Sequence, residues 1–190
     1  MKIETEIKII LNNVNIDELI NKIENILLLK KNGSFHQTTH QFFEDDFTKQ
    51  TAFPRIRNEE DGATTLTVKA KIKEEKDSEY FKRIEFETNI SNIEDAINMM
   101  PFFGYKNKIS WEKKRINFIP INCIENDFTI SLDETPMGFF LEVESSEEKI
   151  EEIIKTLDLA NLIRSKKPYL GLWEDYKKEN NIQSKDMMFI

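Results

Sequence analysis

The stretch Lys2-Ile3-Glu4-Thr5-Glu6-Ile7-Lys8-Ile9-Ile10 alternates along its length, and strand residues two apart point to the same face. Ile3, Thr5, Ile7 and Ile9 fall on one side; Glu4, Glu6, Lys8 and Ile10 fall on the other. The Glu-x-Glu pair returns as Glu85-Phe86-Glu87 and Glu142-Val143-Glu144, each time ahead of a capped amphipathic pattern. Two glutamates so spaced stand about 6.5–7 Å apart at the backbone, close enough for long side chains to converge on one ion. Basic residues keep the same spacing: Lys8 follows the first pair, Arg83 precedes the second, and Arg55 pairs with Arg57 and Lys113 with Arg115. A closed sheet gathering these faces would enclose metal-binding oxygens beside anion-binding nitrogens, the chemistry of a metal–polyphosphate site. On an open sheet the same stripe would be a solvated face dressed with cross-strand ion pairs. Periodicity alone does not choose between them.

Working outward, Asn15 predicts a helix N-cap with Glu18 three residues on, and Ile16, Leu19, Ile20, Ile23, Ile26 and Leu27 form the helical stripe that follows. Gly33 is the expected stop. Residues 36–87 read as strands and turns, with Glu60-Asp61-Gly62 turning between Arg55–Arg57 and Leu66–Lys69, and with Lys73–Ser78 a charged loop. Ser91 is the expected cap of a second helix, which Pro101 and Gly104 end. Strands near 111–117, 127–133 and 139–144 follow, then a helix from Ser145 or Ser146 and a last one in which Pro168 occupies the first turn. This reading gives one domain over residues 1–178 and a tail over 179–190, polar until Met187-Met188-Phe189-Ile190. The echo of strand, acid pair and helix predicts an α+β fold: a closed antiparallel barrel whose apolar strand faces meet helices packed outside.

The 190 residues suffice for a substantial core, and 39% hydrophobic with 33% charged residues is a globular composition. No apolar run has the length of a membrane span, the start lacks a signal-peptide stretch, and the single cysteine, Cys123, excludes an internal disulfide; a cytoplasmic setting is expected. A net charge of −8 argues against nonspecific nucleic-acid binding while leaving room for a buried cationic pocket. His36 and His40 lack the glutamate of a zinc-protease helix, and the threonines between them favour a strand. No glycine-rich phosphate loop exists among the 5 glycines; Cys123 reads as a core filler and Trp111 and Trp173 as core or helix-face residues.

In order along the chain, these motifs resemble the CYTH superfamily of triphosphate tunnel metalloenzymes, which includes thiamine and inorganic triphosphatases and class IV adenylyl cyclases. Glu4–Lys8 is similar to its Glu-x-Glu-x-Lys signature, Arg55-Ile56-Arg57 to its paired arginines and Leu66–Lys69 to its lysine strand. Arg83–Glu87 resembles its Arg-x-Glu-x-Glu element, Lys113-Lys114-Arg115 its later basic strand, and Asp133 with Gly138–Glu144 its closing acids. The resemblance spans roughly residues 2–173. It implies an eight-stranded barrel forming a tunnel, with Glu4, Glu6, Asp133, Glu142 and Glu144 holding Mg2+ or Mn2+ and Glu4, Glu6 and Lys8 acting in catalysis. Lys8, Arg55, Arg57, Lys69, Arg83, Arg115 and, from the last helix, Lys167 would bind the triphosphate, with Glu85 and Glu87 lining the tunnel. The implied partner is a small-molecule triphosphate, not nucleic acid or membrane, and a homodimer is compatible with it. Where the family often has Asp-x-Tyr-Phe-Asp, this chain has His40-Gln41-Phe42-Phe43-Glu44, and Pro54 before the arginines fits only an edge or a strand start. Triphosphate hydrolysis ranks first; cyclisation of ATP to cyclic AMP and a noncatalytic polyphosphate sensor are the alternatives.

Overall fold

The structure, a computed structural model, describes residues 2–46, 48, 50–60, 62–71, 80–121 and 127–190. Cys123, the Lys73–Ser78 loop and Asp61 of the expected turn lie outside them. Eight antiparallel strands close on themselves in the order β1 (Lys2–Ile10), β5 (Phe81–Asn89), β4 (Thr64–Lys71), β3 (Ala52–Glu59), β2 (Leu29–Phe43), β6 (Asn107–Pro120), β7 (Thr129–Thr135) and β8 (Gly138–Glu144), which pairs back to β1. Closure is made by β1–β5, with Glu4 opposite Arg83 and Glu6 opposite Phe81. Beyond Glu6 the place of β5 is taken by β9 (Arg164–Ser165), which pairs with Lys8 and Ile9. A closed barrel leaves no long sheet edge and gives every strand an inner and an outer face.

The outer faces of β1, β7 and β8 bury Ile7, Ile9, Ile130, Leu132, Leu141 and Val143 against α1 (Ile16–Ile26) and α3 (Glu147–Thr156). α1 contributes Leu19, Ile20 and Ile23, and α3 contributes Ile150, Ile153 and Ile154; the α3 residues are at most 1% exposed. Burying a side chain of this size contributes about 1.5–3 kcal/mol, so these stripes anchor the helices more than propensity does. Asn15 and Ser146 cap them, accepting from Glu18 N–H at 3.2 Å and Lys149 N–H at 3.3 Å.

Four local expectations are corrected. Gly33 does not stop α1, which ends at Leu27 with Leu28 in the left-handed region (φ 55°). Gly33 sits inside β2 at a bulge against β6, with φ +80° and the Phe35 ring 2.6 Å from where a Cβ would stand, so a side chain there would clash. The second helix, α2 (Ile93–Met99), is capped by Asn92 and not Ser91; Asn92 Oδ1 accepts from Asp95 N–H at 3.1 Å. Pro168 precedes the last helix, α4 (Tyr169–Asn180), as its N-cap and is not in its first turn. Phe86, expected under a helix, is 58% exposed, because the seven-residue α2 covers Ile56 of β3 and Leu66 of β4 and does not reach β5.

Pro54 obeys its constraint: β3 pairs with β2 only from Arg55 onward, so its missing N–H falls where the strand has one neighbour. The expected hairpin pairing is present, since Arg55 pairs with Thr67 and Gly62 N–H donates to the Glu59 carbonyl at 2.9 Å. No helix among the described residues is long and apolar enough to cross a membrane.

Candidate active site

Side chains of one strand parity point into the barrel. At one end these are apolar: Ile10, Trp111 and Phe140 meet Tyr169 and Trp173 of α4 and Met187 of the chain end, forming a plug. Trp111 and Trp173 are thus core residues, each 4% exposed. Further along, the same faces carry charge and enclose a cavity of about 1010 Å³. Glu4, Glu6 and Lys8 of β1 line it, as do Glu142 and Glu144 of β8 and Arg115 of β6. From the opposite wall come Arg55 and Arg57 of β3, Lys69 of β4, and Arg83, Glu85 and Glu87 of β5. The striped faces therefore look inward. Of the sequence-derived set, two residues stand elsewhere. Asp133, fully buried, lies behind Lys113 and Arg115, and Lys167 is turned outward onto Asp175.

Two chains of alternating charge run round the wall. In the first, Arg55 reaches Glu85 (3.4 Å), and Lys69 bridges Glu85 (2.6 Å) and Glu4 (2.8 Å). In the second, Lys8 joins Glu6 (2.6 Å) to Glu142 (3.5 Å), and Arg115 joins Glu142 (2.9 Å) to Asp133. Asp133 accepts from Arg115 Nε (2.7 Å) and Nη2 (2.6 Å), from Lys113 Nζ (2.9 Å) and from the Tyr169 hydroxyl (2.6 Å). Buried charges persist only when paired and hydrogen-bonded in this way.

The titration behaviour follows the pairing. Burial alone would lower Lys8, but Glu6 and Glu142 outweigh it and raise its pKa. Burial would raise Glu142, yet Arg115, Lys8 and Lys113 hold it well below the usual carboxylate range. Glu4 is pushed up by burial and its hydrogen bond with Glu85, against the pull of Lys69. Burial and then Asp133 keep the Tyr169 phenol protonated as a donor.

Lys113 behaves differently. Burial and then Arg115 push it down to about 7, although Asp133 and Glu142 oppose the shift. An anion beside it favours the charged form and raises this pKa again. Above pH 7, therefore, loading the metal-free cavity with tripolyphosphate takes up a proton at Lys113; well below pH 7 the lysine is already charged and that uptake vanishes. Calorimetry near pH 8 in two buffers of different ionisation enthalpy should show uptake approaching one proton, absent in Lys113→Met. Equal heats in the two buffers would contradict this.

Arg57 is the exception in the wall. Among the described residues it forms no salt bridge and its Nε has no hydrogen-bond partner. Burial, with Arg55 and Arg115 as like-charged neighbours, lowers its pKa to about 10 against the pull of Glu87 and Glu59, so it remains a cation at neutral pH. A desolvated guanidinium without a salt-bridge partner that faces a cavity is a site for an external anion.

The acids fit a hard divalent cation by donor type. Glu6 and Glu144 are direct cross-strand neighbours and Glu4 lies two residues along the same face. Like charges so opposed are unfavourable without a cation between them. As arranged, no three acidic, histidine or cysteine side chains among the described residues stand close enough to enclose an ion, Glu6 being turned onto Lys8 and Glu4 onto Lys69.

A CYTH domain profile matches residues 2–168. The chain belongs to the CYTH family. Among solved structures, this CYTH protein is similar to the PH1819 protein of Pyrococcus horikoshii OT3, with TM-score 0.70 and 22% identity over 91% of this chain and 99% of that one. It is also similar to an adenylate cyclase candidate from Vibrio parahaemolyticus, with TM-score 0.66 and 21% identity over 91% and 98%. An adenylyl cyclase candidate from Hippeastrum, with a dominant triphosphatase activity, matches at TM-score 0.50 and 14% identity over 96% and 89%. At these identities the likeness is one of fold. Among curated proteins none matches the sequence.

Lys113, as a further base, and Tyr169, as a neutral donor to Asp133, complete the wall without having been singled out as site residues. The spacing of Lys113 with Arg115 carried a signal for the first. Nothing local pointed to the second, which reaches Asp133 only because α4 caps the barrel.

Proposed function

We propose that this CYTH protein is a divalent-metal-dependent triphosphatase acting on a short triphosphate held inside the barrel. The observation that carries this reading is Arg57, a half-buried guanidinium that forms no salt bridge among the described residues, facing a cavity it shares with Arg55, Lys69, Lys113 and Arg115. Phosphoryl transfer needs positioning and charge neutralisation above all, and preformed cations supply both. Arginine forks bind phosphate oxygens bidentately, while lysines act as point charges. Glu6 and Glu144, with Glu4 and Glu142, are the acids that would hold Mg2+ or Mn2+, which polarises phosphate oxygens when bound. Asp133, already occupied by four donor atoms, would position Lys113 and Arg115.

A second reading has a specific support. Phe43, Phe53, Phe81 and Ile109 are apolar members of the lining, and apolar lining suits an organic group attached to the phosphates. A nucleotide seated there could cyclise, giving cyclic AMP and pyrophosphate.

Incubation with Mg2+ or Mn2+ and tripolyphosphate, thiamine triphosphate or ATP separates the readings. Orthophosphate release supports hydrolysis, cyclic AMP with pyrophosphate reverses the ranking, and binding without turnover leaves a sensor. Turnover should be abolished by Glu6→Gln. Tripolyphosphate with Mg2+ should also raise the melting temperature; saturation at a hundredfold over Kd adds about 2.7 kcal/mol. An unchanged melting curve would remove the site itself.

A further inference from the structure

The ladder of β6 extends beyond β7. Their pairing covers Lys114 to Phe118, so on that side residues 108–113 have no barrel strand beside them. The end of the chain takes this place. Met187 N–H donates to the Ser110 carbonyl (3.1 Å), Glu112 N–H donates to the Met187 carbonyl (2.8 Å), and Trp111 and Met187 form a parallel bridge. Asp186 Oδ1 accepts the Ser110 N–H at 2.8 Å, and Phe189 N–H donates to Glu112 Oε2 at 3.2 Å. The Met187 side chain enters the plug beside Trp111 with no exposure at all. The chain end is thereby tied down as a strap over residues 186–189, with Met187 as its buried anchor.

One position before the strap, Lys185 lines the cavity. Of three acids that line the cavity with it, Glu174 is neutralised by Lys177 (2.7 Å) and Asp45 by Lys106 (3.0 Å), while Glu44 forms no salt bridge among the described residues. Lys185 is exposed, and among the described residues no acid pairs with it. It is thus a cation presented to an anion site, at the opening, by a segment hydrogen-bonded to the barrel wall. Lys167, the lysine that the resemblance assigned to this region, is engaged with Asp175 instead.

We propose that Lys185 is a further substrate-binding residue, contacting the outer, anionic end of the substrate, and that Asp186 and Met187 are its positioning residues. The inference rests on the triphosphate reading of the cavity. Because Lys185 is solvated, its contribution is screened and modest, and it falls with added salt.

The test is the dissociation constant of metal-free tripolyphosphate, measured by calorimetry at low ionic strength on the full chain. Lys185→Ala should weaken binding about three- to fivefold and Lys185→Glu about tenfold, with Lys185→Arg within about twofold of the parent. KM for tripolyphosphate in Mg2+ should rise by the same factors. Asp186→Ala, which frees the strap at Ser110, should weaken binding in the parent and add nothing in the Lys185→Ala background. Equal losses in both backgrounds would overturn the positioning role, since a purely structural change would act on each alike. Parent-like binding by Lys185→Glu would overturn the inference alone. Absence of binding by the parent would overturn the triphosphate reading, and this inference with it.

Discussion

Arg57→Met should lose activity and gain stability at once. The guanidinium forms no salt bridge with the described residues, and burial with repulsion from Arg55 and Arg115 outweighs the pull of Glu87 and Glu59. Replacing a desolvated charge that has no salt-bridge partner with an apolar side chain of similar length should stabilise the fold by about 1–3 kcal/mol. Removing a charged donor from the developing phosphate charge should cost about 3–4 kcal/mol of transition-state stabilisation, or two to three orders of magnitude in kcat/KM. Urea unfolding at pH 7 and phosphate release from tripolyphosphate read the two effects separately. A variant less stable than the parent would show that Arg57 is a structural cation; one as active as the parent would remove the observation on which the proposed function stands.

Asp133→Ala should act in the opposite sense on stability. This carboxylate has no exposure and receives two hydrogen bonds from Arg115, one from Lys113 and one from Tyr169. Deleting it removes two of the three hydrogen bonds that Arg115 makes to acids and leaves Lys113 and the Tyr169 hydroxyl without their buried acceptor, which should cost about 3–5 kcal/mol. Tripolyphosphate should restore part of that loss, and more of it than it adds to the parent, because the ligand then supplies the missing negative charge. Urea transitions with and without tripolyphosphate give both numbers. Parent-like stability would mean that the ion-pair chain around Asp133 relaxes freely. Equal gains from the ligand in both proteins would mean that the anion does not sit beside Lys113 and Arg115.

The two variants separate two classes of inward charge that look alike along the chain. Arg57 and Asp133 both belong to alternating strand patterns of charged and apolar residues. One forms no salt bridge among the described residues and the other is saturated, and only the arrangement of neighbouring strands makes the difference.

Much of this molecule was legible because strand and helix periods differ. The alternation in Lys2–Ile10 predicts which side chains of β1 face the lumen, and Ile7 and Ile9 do pack outward under α1 and α3 while Glu4, Glu6 and Lys8 line the cavity. Asn15 and the hairpin between β3 and β4 were equally readable, since capping and tight turns are local. Ser91 and Gly33 misled for the same reason. Neighbouring residues can serve a cap equally well, and a glycine with positive φ suits a bulge as readily as a helix end.

Sequence by itself determined the parity of the charged stripes, and with it which residues share a face, because a strand offers its side chains only two directions. Whether that face met water or itself was decided by closure: β1 had to find β5 across more than seventy residues, a non-local pairing that no window of sequence contains. Closure also chose which acid each base would hold, placing Asp133 behind the wall, Lys167 outside it and Lys185 at its opening. Ion pairing depends on distances of a few ångströms between strands, and those distances exist only once the barrel is formed.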